Sequence, residues 1–198
     1  EFRRVLFRSV WTILALAVVN AIAERSGVWI TRTTQMSIAL LPTLFAAVLF
    51  GPLAAAIVNA ASMLGDPEVF SRSDPQRAPR LKLVSYASAR FITGAAAGVV
   101  AQALIGATES KFGALLIATL CAALVAEIMD MLFAAVTSRI RGRSIRGVLG
   151  TLSPLLLTSV PLYAPTVALL ALAYTEVSPW TSPLFFIPAL AAQRLDRK

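Results

Sequence analysis

The amino-acid sequence predicts an all-α fold, a polytopic membrane helix bundle of about six to seven segments with Pro-broken helices. Three observations carry this expectation. Hydrophobic residues make up 58% of the chain and charged residues 14%, with a mean hydropathy of +0.77. Soluble domains carry about 25% charged residues. The apolar residues fall into successive runs of helical length, separated by short polar connections. Arginines cluster in alternate connections, which is the pattern of loops held on the cytoplasmic side of a membrane.

The last observation redirects the charge. A formal net charge of +8 and a pI near 10.8 would point a soluble protein toward nucleic acid. No basic stripe alternates with exposed aromatics here, so nucleic acid is set aside and the lipid bilayer is the expected partner. The chain has no His, which excludes His-ligated zinc and a Ser-His-Asp triad within these residues. Cys121 lies inside an apolar run and reads as a small buried hydrophobe. Phosphate loops, metal-ligand spacings and cofactor motifs are absent from the sequence, so no catalytic, cofactor or metal residue is expected and the fragment is read as non-enzymatic.

Residues 1–9, EFRRVLFRS, match one reading frame of a widely used DNA-sequencing adapter, and residues 196–198 match a frame of its complement. Both ends are therefore set apart as non-native. The expected domain is 10–195, a membrane sensory or anchoring domain taken from a longer protein. Its first apolar run is 10–23, closed by Glu24, Arg25, Ser26 and Gly27. Trp29 and Arg32 mark an interfacial lead-in to a second helix over 35–50, in which Pro42 predicts a kink. Gly51-Pro52 is a sharp break, and Pro52 suits the first position of a third, Ala-rich helix ending at Gly65. Residues 66–80 form the longest polar loop. A fourth helix follows over 81–105, with the small-xxx-small pair Gly94 and Gly98 as a packing face. The fifth covers 111–138 and leads into a basic loop at 139–147. Residues 148–174 hold Pro154, Pro161 and Pro165 and read as one broken or kinked helix. A loop with Glu176 and Trp180 precedes a last apolar run over 184–192. Tyr163, Tyr174, Trp29 and Trp180 read as interface anchors.

Arg25 and Arg32, then Arg72, Arg77, Arg80 and Lys82, then Arg139, Arg141, Arg143 and Arg146, and finally Arg194 fall in one set of alternate connections. The other set holds Lys111. The first set is expected to face the cytoplasm of a bacterial plasma membrane, with the C-terminus inside.

Three ionisable residues lie deep in the apolar runs: Arg90, Glu127 and Asp130. A charge at the bilayer centre costs roughly 2.5–3.5 kcal/mol on the insertion scale, so such residues need partners. At 1.5 Å per residue Arg90 sits ~13 Å from the cytoplasmic end of its helix, Asp130 ~12 Å and Glu127 ~17 Å. Antiparallel helices would therefore place all three at similar depth, as an Arg90 pair or triad with the carboxylates. Such a cluster either fixes helix register and orientation or has a functional role, as a ligand contact or a conformational switch. Asn59 and Gln102 are the further candidates, as interhelical hydrogen-bond formers or ligand contacts.

Three stretches carry a family resemblance: LPTLFAAVLFGPLAAAIVNAASMLGD (41–66), LKLVSYASARFITGAAAG (81–98) and SPWTSPLFFIPALAAQRL (178–195). Together they resemble the N-terminal multi-helix membrane domain of bacterial signalling proteins of the HD-GYP type, chiefly actinobacterial. The resemblance implies a helical linker after the last segment and a C-terminal cytoplasmic output domain, absent here, that is either an HD-type phosphohydrolase associated with cyclic di-GMP hydrolysis or a GGDEF domain. The family's His- and Asp-rich catalytic motifs have no counterpart in the chain. The Pro-containing helix followed by LFGP and an Ala-rich helix also resembles the substrate-binding membrane subunits of energy-coupling-factor vitamin transporters. A structural membrane protein without ligand is the third reading, and Gly94 and Gly98 are read as packing either inside the subunit or at the face of a homodimer. On the loop map, a cysteine at Ser144 is labelled only from the cytoplasmic side and one at Ser178 only from outside; outside-only labelling at Ser144 overturns the map.

Overall fold

The computed structural model describes residues 2–25, 28–29, 35–36, 38–65, 80–106, 108–140, 142 and 144–178, with side chains for 10–25, 38–65, 83–106, 108–140, 142, 144–147, 150 and 159–178. Six α-helices make up almost all of the described residues: α1 Phe2–Arg25, α2 Leu40–Phe50, α3 Pro52–Ala61, α4 Arg80–Leu104, α5 Lys111–Ile140 and α6 Ile145–Glu176. A 3₁₀ turn, Ser62–Gly65, extends α3. Between α1 and α2 the two-residue strands β1 (Val28–Trp29) and β2 (Gln35–Met36) pair antiparallel, Val28 with Met36 and Trp29 with Gln35. The predicted loop at 66–79, Arg32, Trp180 and the apolar run at 184–192 lie outside the described residues.

The second helix starts later than its sequence predicts, at Leu40 rather than at residue 35. Pro42 thereby falls in the first turn, where a missing N–H costs no intrahelical bond, so it starts the helix instead of kinking it. Pro52 opens α3 as expected. Gly51 between them has φ 86°, a left-handed conformation that favours glycine, and its N–H donates to the Ala46 carbonyl at 3.1 Å. Residues 145–176 form one continuous helix, α6, although Pro154, Pro161 and Pro165 lie inside it. Ser159 and Glu176 both bond to α5, on either side of Pro161 and Pro165.

Side-chain contacts fix the direction of each helix. Asn59 Nδ2 donates to the Arg90 carbonyl, and Gly94 and Gly98 lie against Ala55 and Pro52, so α3 runs antiparallel to α4. Gln102 near the end of α4 meets Ala47 and Val48 near the end of α2. Glu127 meets Ser159 and Lys111 meets Glu176, which sets α6 antiparallel to α5. Successive helices alternate in direction, as the sequence predicts. The end of α1 at Arg25, the start of α4 at Arg80, the end of α5 at Arg139 and the start of α6 with Arg146 therefore gather at one end of the bundle.

Helix α2 is the centre. It packs against every other helix, and all residues from Leu41 to Val48 are buried. The core around it is rich in alanine, with Leu16, Val58, Val160, Tyr163, Val167 and Leu170 as its larger members. Along α5, Ala114, Ala118, Ala122 and Ala126 form an inward stripe at i, i+4 spacing, while Ile117, Leu120, Ile128 and Leu132 face outward. The same inversion holds on α4, where Ala97 and Ala101 are buried and Phe91, Ile92 and Val99 are exposed. Among the described residues, two helical stretches are long and apolar enough to cross a membrane, Leu83–Leu104 and Lys111–Ile140. Gly94 and Gly98 serve packing inside the subunit: a Cβ on Gly94 would stand 2.5 Å from the Ala55 carbonyl oxygen. A Cβ on Gly65 would overlap the Ala21 carbonyl of α1.

Gly65→Ala and Gly94→Ala should each destabilise the fold by about 1–3 kcal/mol through overpacking. Gly106, with open space around it, should accept Ala within about 0.5 kcal/mol. Reversible unfolding in mixed micelles measures all three; a neutral Gly65→Ala would refute the α1 contact.

Candidate functional site

The candidate site grows from Arg90, one turn before Gly94 on α4. The close approach at Gly94 and Gly98 presses α4 onto α3 and leaves Arg90 and Thr93, three residues apart, facing α5. There Arg90 Nη1 donates to Asp130 Oδ2 at 3.1 Å, and Thr93 Oγ1 donates to Asp130 Oδ1 at 3.1 Å. Both carboxylate oxygens of Asp130 are thus engaged from one helix. Arg90 Nη2 lies 3.6 Å from Glu24 Oε1 near the end of α1. The Arg90 main-chain carbonyl accepts from Asn59 Nδ2 at 2.8 Å. One residue therefore ties α1, α3, α4 and α5 together. The side chains of Arg90, Asp130 and Glu24 are 33%, 39% and 23% exposed, so the node sits in a crevice rather than sealed in the core.

The predicted triad is met in part. Asp130 pairs with Arg90, whereas Glu127 turns to α6 and accepts a hydrogen bond from Ser159 Oγ at 3.0 Å. Residues three apart point about 60° apart around a helix, and on α5 that angle is enough to address two different neighbours. Glu24 supplies the second carboxylate to Arg90 instead. Its place at the end of an apolar run made it read as a helix stop, and only the tertiary arrangement of α1 brings it to α4.

Asn59 and Gln102 both act as interhelical hydrogen-bond formers. Besides its bond to Arg90, Asn59 accepts from Thr43 Oγ1 at 3.3 Å. Gln102 Nε2 reaches the carbonyls of Ala47 at 3.0 Å and Val48 at 2.9 Å. These are last-turn carbonyls of α2, which the break at Gly51 leaves without helical partners. Behind the node lies a buried polar chain that sequence reasoning passed over. Asn20 donates to the Val58 carbonyl at 2.7 Å and to Thr43 at 3.3 Å, and Ser62 donates to the Asn59 carbonyl at 2.7 Å. The available signal was a lone Asn, Thr or Ser inside each apolar run.

At the opposite end, Tyr174 meets Phe45 and Phe50 edge-on, with ring centroids 5.6 Å and 6.0 Å away. Tyr163 is buried in the core. Both tyrosines therefore serve internal packing, not the interface their position in the sequence predicts; each lies on the α6 face turned toward α2 or α5. The exposed pair Lys111 Nζ–Glu176 Oε1, 2.8 Å apart, joins the outer ends of α5 and α6. Among the described residues no group of three or more His, Cys, Asp or Glu is placed to hold a metal ion.

No family model matches this chain, and no curated protein and no solved structure is significantly similar to it.

The geometry separates the two carboxylates of α5. A double-mutant cycle of Arg90→Met with Asp130→Leu should return a coupling of about 0.5–3 kcal/mol. The Arg90–Glu127 cycle should return a smaller coupling, because Glu127 makes its hydrogen bond to Ser159 on α6 and not to Arg90. Equal couplings in the two cycles would refute the assignment.

Proposed function

We propose that the chain is a multi-pass membrane module of a bacterial signalling protein, sensory or anchoring, which hands a change of helix packing to a cytoplasmic output domain of HD-GYP or GGDEF type. The observation that carries this reading is the position of the Arg90 node. It joins four helices within the half of the bundle that ends in Arg25, Arg80, Arg139 and Arg146. By the positive-inside rule that half lies toward the cytoplasm.

The membrane environment is supported by the inverted distribution of side chains. Large apolar residues face outward on α1, α4, α5 and α6, while Asn20, Thr43, Asn59 and Thr93 are buried within. In water such a surface is an association liability, whereas in lipid it is the natural solvent-facing composition. Signalling requires a two-state element, and on this reading the node would supply it by passing between the observed paired arrangement and a separated one. A ligand or membrane condition that favours one helix packing over the other would shift the node. The partner is then the output domain following the last apolar segment.

The test uses the full-length protein. Arg90→Glu alone should abolish folding or output, because Glu24 and Asp130 would then face a third carboxylate. Combining it with Asp130→Arg should restore assembly. If output regulation also returns in full, the pair is structural and the signalling role of the node is refuted. If assembly returns without regulation, the node transmits the signal. The coding sequence beyond Leu195 decides the wider reading: an in-frame HD or GGDEF domain is expected, and a stop codon beside ATPase genes would favour a vitamin-transporter subunit instead.

A further inference from the structure

Hydrogen-bond bookkeeping at the crossing of α1, α2 and α3 does not close. Asn20 is 0% exposed. Its two amide hydrogens go to the Val58 carbonyl at 2.7 Å and to Thr43 Oγ1 at 3.3 Å, yet its Oδ1 has no protein donor. Thr43 has a single hydroxyl proton and two acceptors for it, the Ala39 carbonyl and Asn59 Oδ1, each at 3.3 Å. Asn59 spends one amide hydrogen on the Arg90 carbonyl, and Ser62 spends its proton on the Asn59 carbonyl. Acceptors therefore outnumber protons in one buried cluster. A buried amide oxygen without a donor costs about 1–3 kcal/mol, so a native fold supplies one.

We propose that this cluster binds a single water molecule, which donates to Asn20 Oδ1 and bridges it to the Thr43–Asn59 pair. Buried waters make about three hydrogen bonds and serve buried polar groups that have no other partner, as Asn20 Oδ1 has none. A metal cation fits less well. The nearby carboxylates, Glu24 and Asp130, are taken by Arg90, so no anionic ligand remains to offset stripping a cation of its own water.

Asparagine occurs at two positions only, 20 and 59, so [¹⁵N]Asn labelling gives two side-chain amides, assigned by replacing either one. In bilayer samples, solid-state NMR should show magnetisation transfer from water to the Asn20 amide despite its complete burial. In Asn20→Leu, the water transfer to the Asn59 amide should be lost while its signal persists. Absence of transfer at Asn20 in the wild-type protein overturns the proposal. So does a thermal stabilisation by sodium over choline that disappears in Asn20→Leu, which would assign the site to a cation.

Discussion

An arginine inside an apolar bundle keeps its charge, because its guanidinium does not deprotonate in proteins. Everything around Arg90 follows from that. The residue needs a carboxylate, and the carboxylate needs its second oxygen satisfied; Asp130 and Thr93 meet these needs from adjoining helices. To reach them, α4 must lie close to α3 and at a fixed rotation. Gly94 and Gly98 supply the closeness, and Asn59 holding the Arg90 carbonyl supplies the register. Removing Arg90 leaves Asp130 and Glu24 without their counter-charge, which costs more than the pairing itself contributes.

The core has little bulk to offer in compensation. Beside Leu44, Phe45 and Tyr163, many of its contacts are made by alanines, glycines and small polar residues, so helices approach closely through many weak contacts. Such interfaces are tight but shallow. Interhelical hydrogen bonds of this kind average about 0.6 kcal/mol in a membrane protein. The bundle therefore depends on a few directional contacts to choose one arrangement among similar ones, and these contacts cluster along α2 and α3.

The order and alternating direction of the helices were legible in the sequence, because apolar runs and arginine placement are local signals, whereas α1 and α2 begin elsewhere than their runs suggest. Pro52 and Gly51 were legible for the same reason. Pro42 and the prolines of α6 were not: whether a proline starts, kinks or merely sits in a helix depends on where the helix begins and what pins it. Depth counting brought Arg90, Glu127 and Asp130 to one level but left open whether they form a pair or a triad. Glu24 and the divergence of Glu127 needed the rotation of each helix, which no run length encodes. Asn20, Thr43 and Ser159 were passed over because a single polar residue in an apolar run looks like tolerance until its neighbours are known.

The hairpin of α2 and α3 carries a consequence for how the centre of the fold is secured. Helix α2 has 11 residues and α3 has 10, about half of the ~20 that an independent membrane crossing needs. The carbonyls at the tip of α2 find their donor in Gln102, 54 residues beyond Val48 along the chain. The most buried helix is therefore closed off by an element that follows it in the sequence.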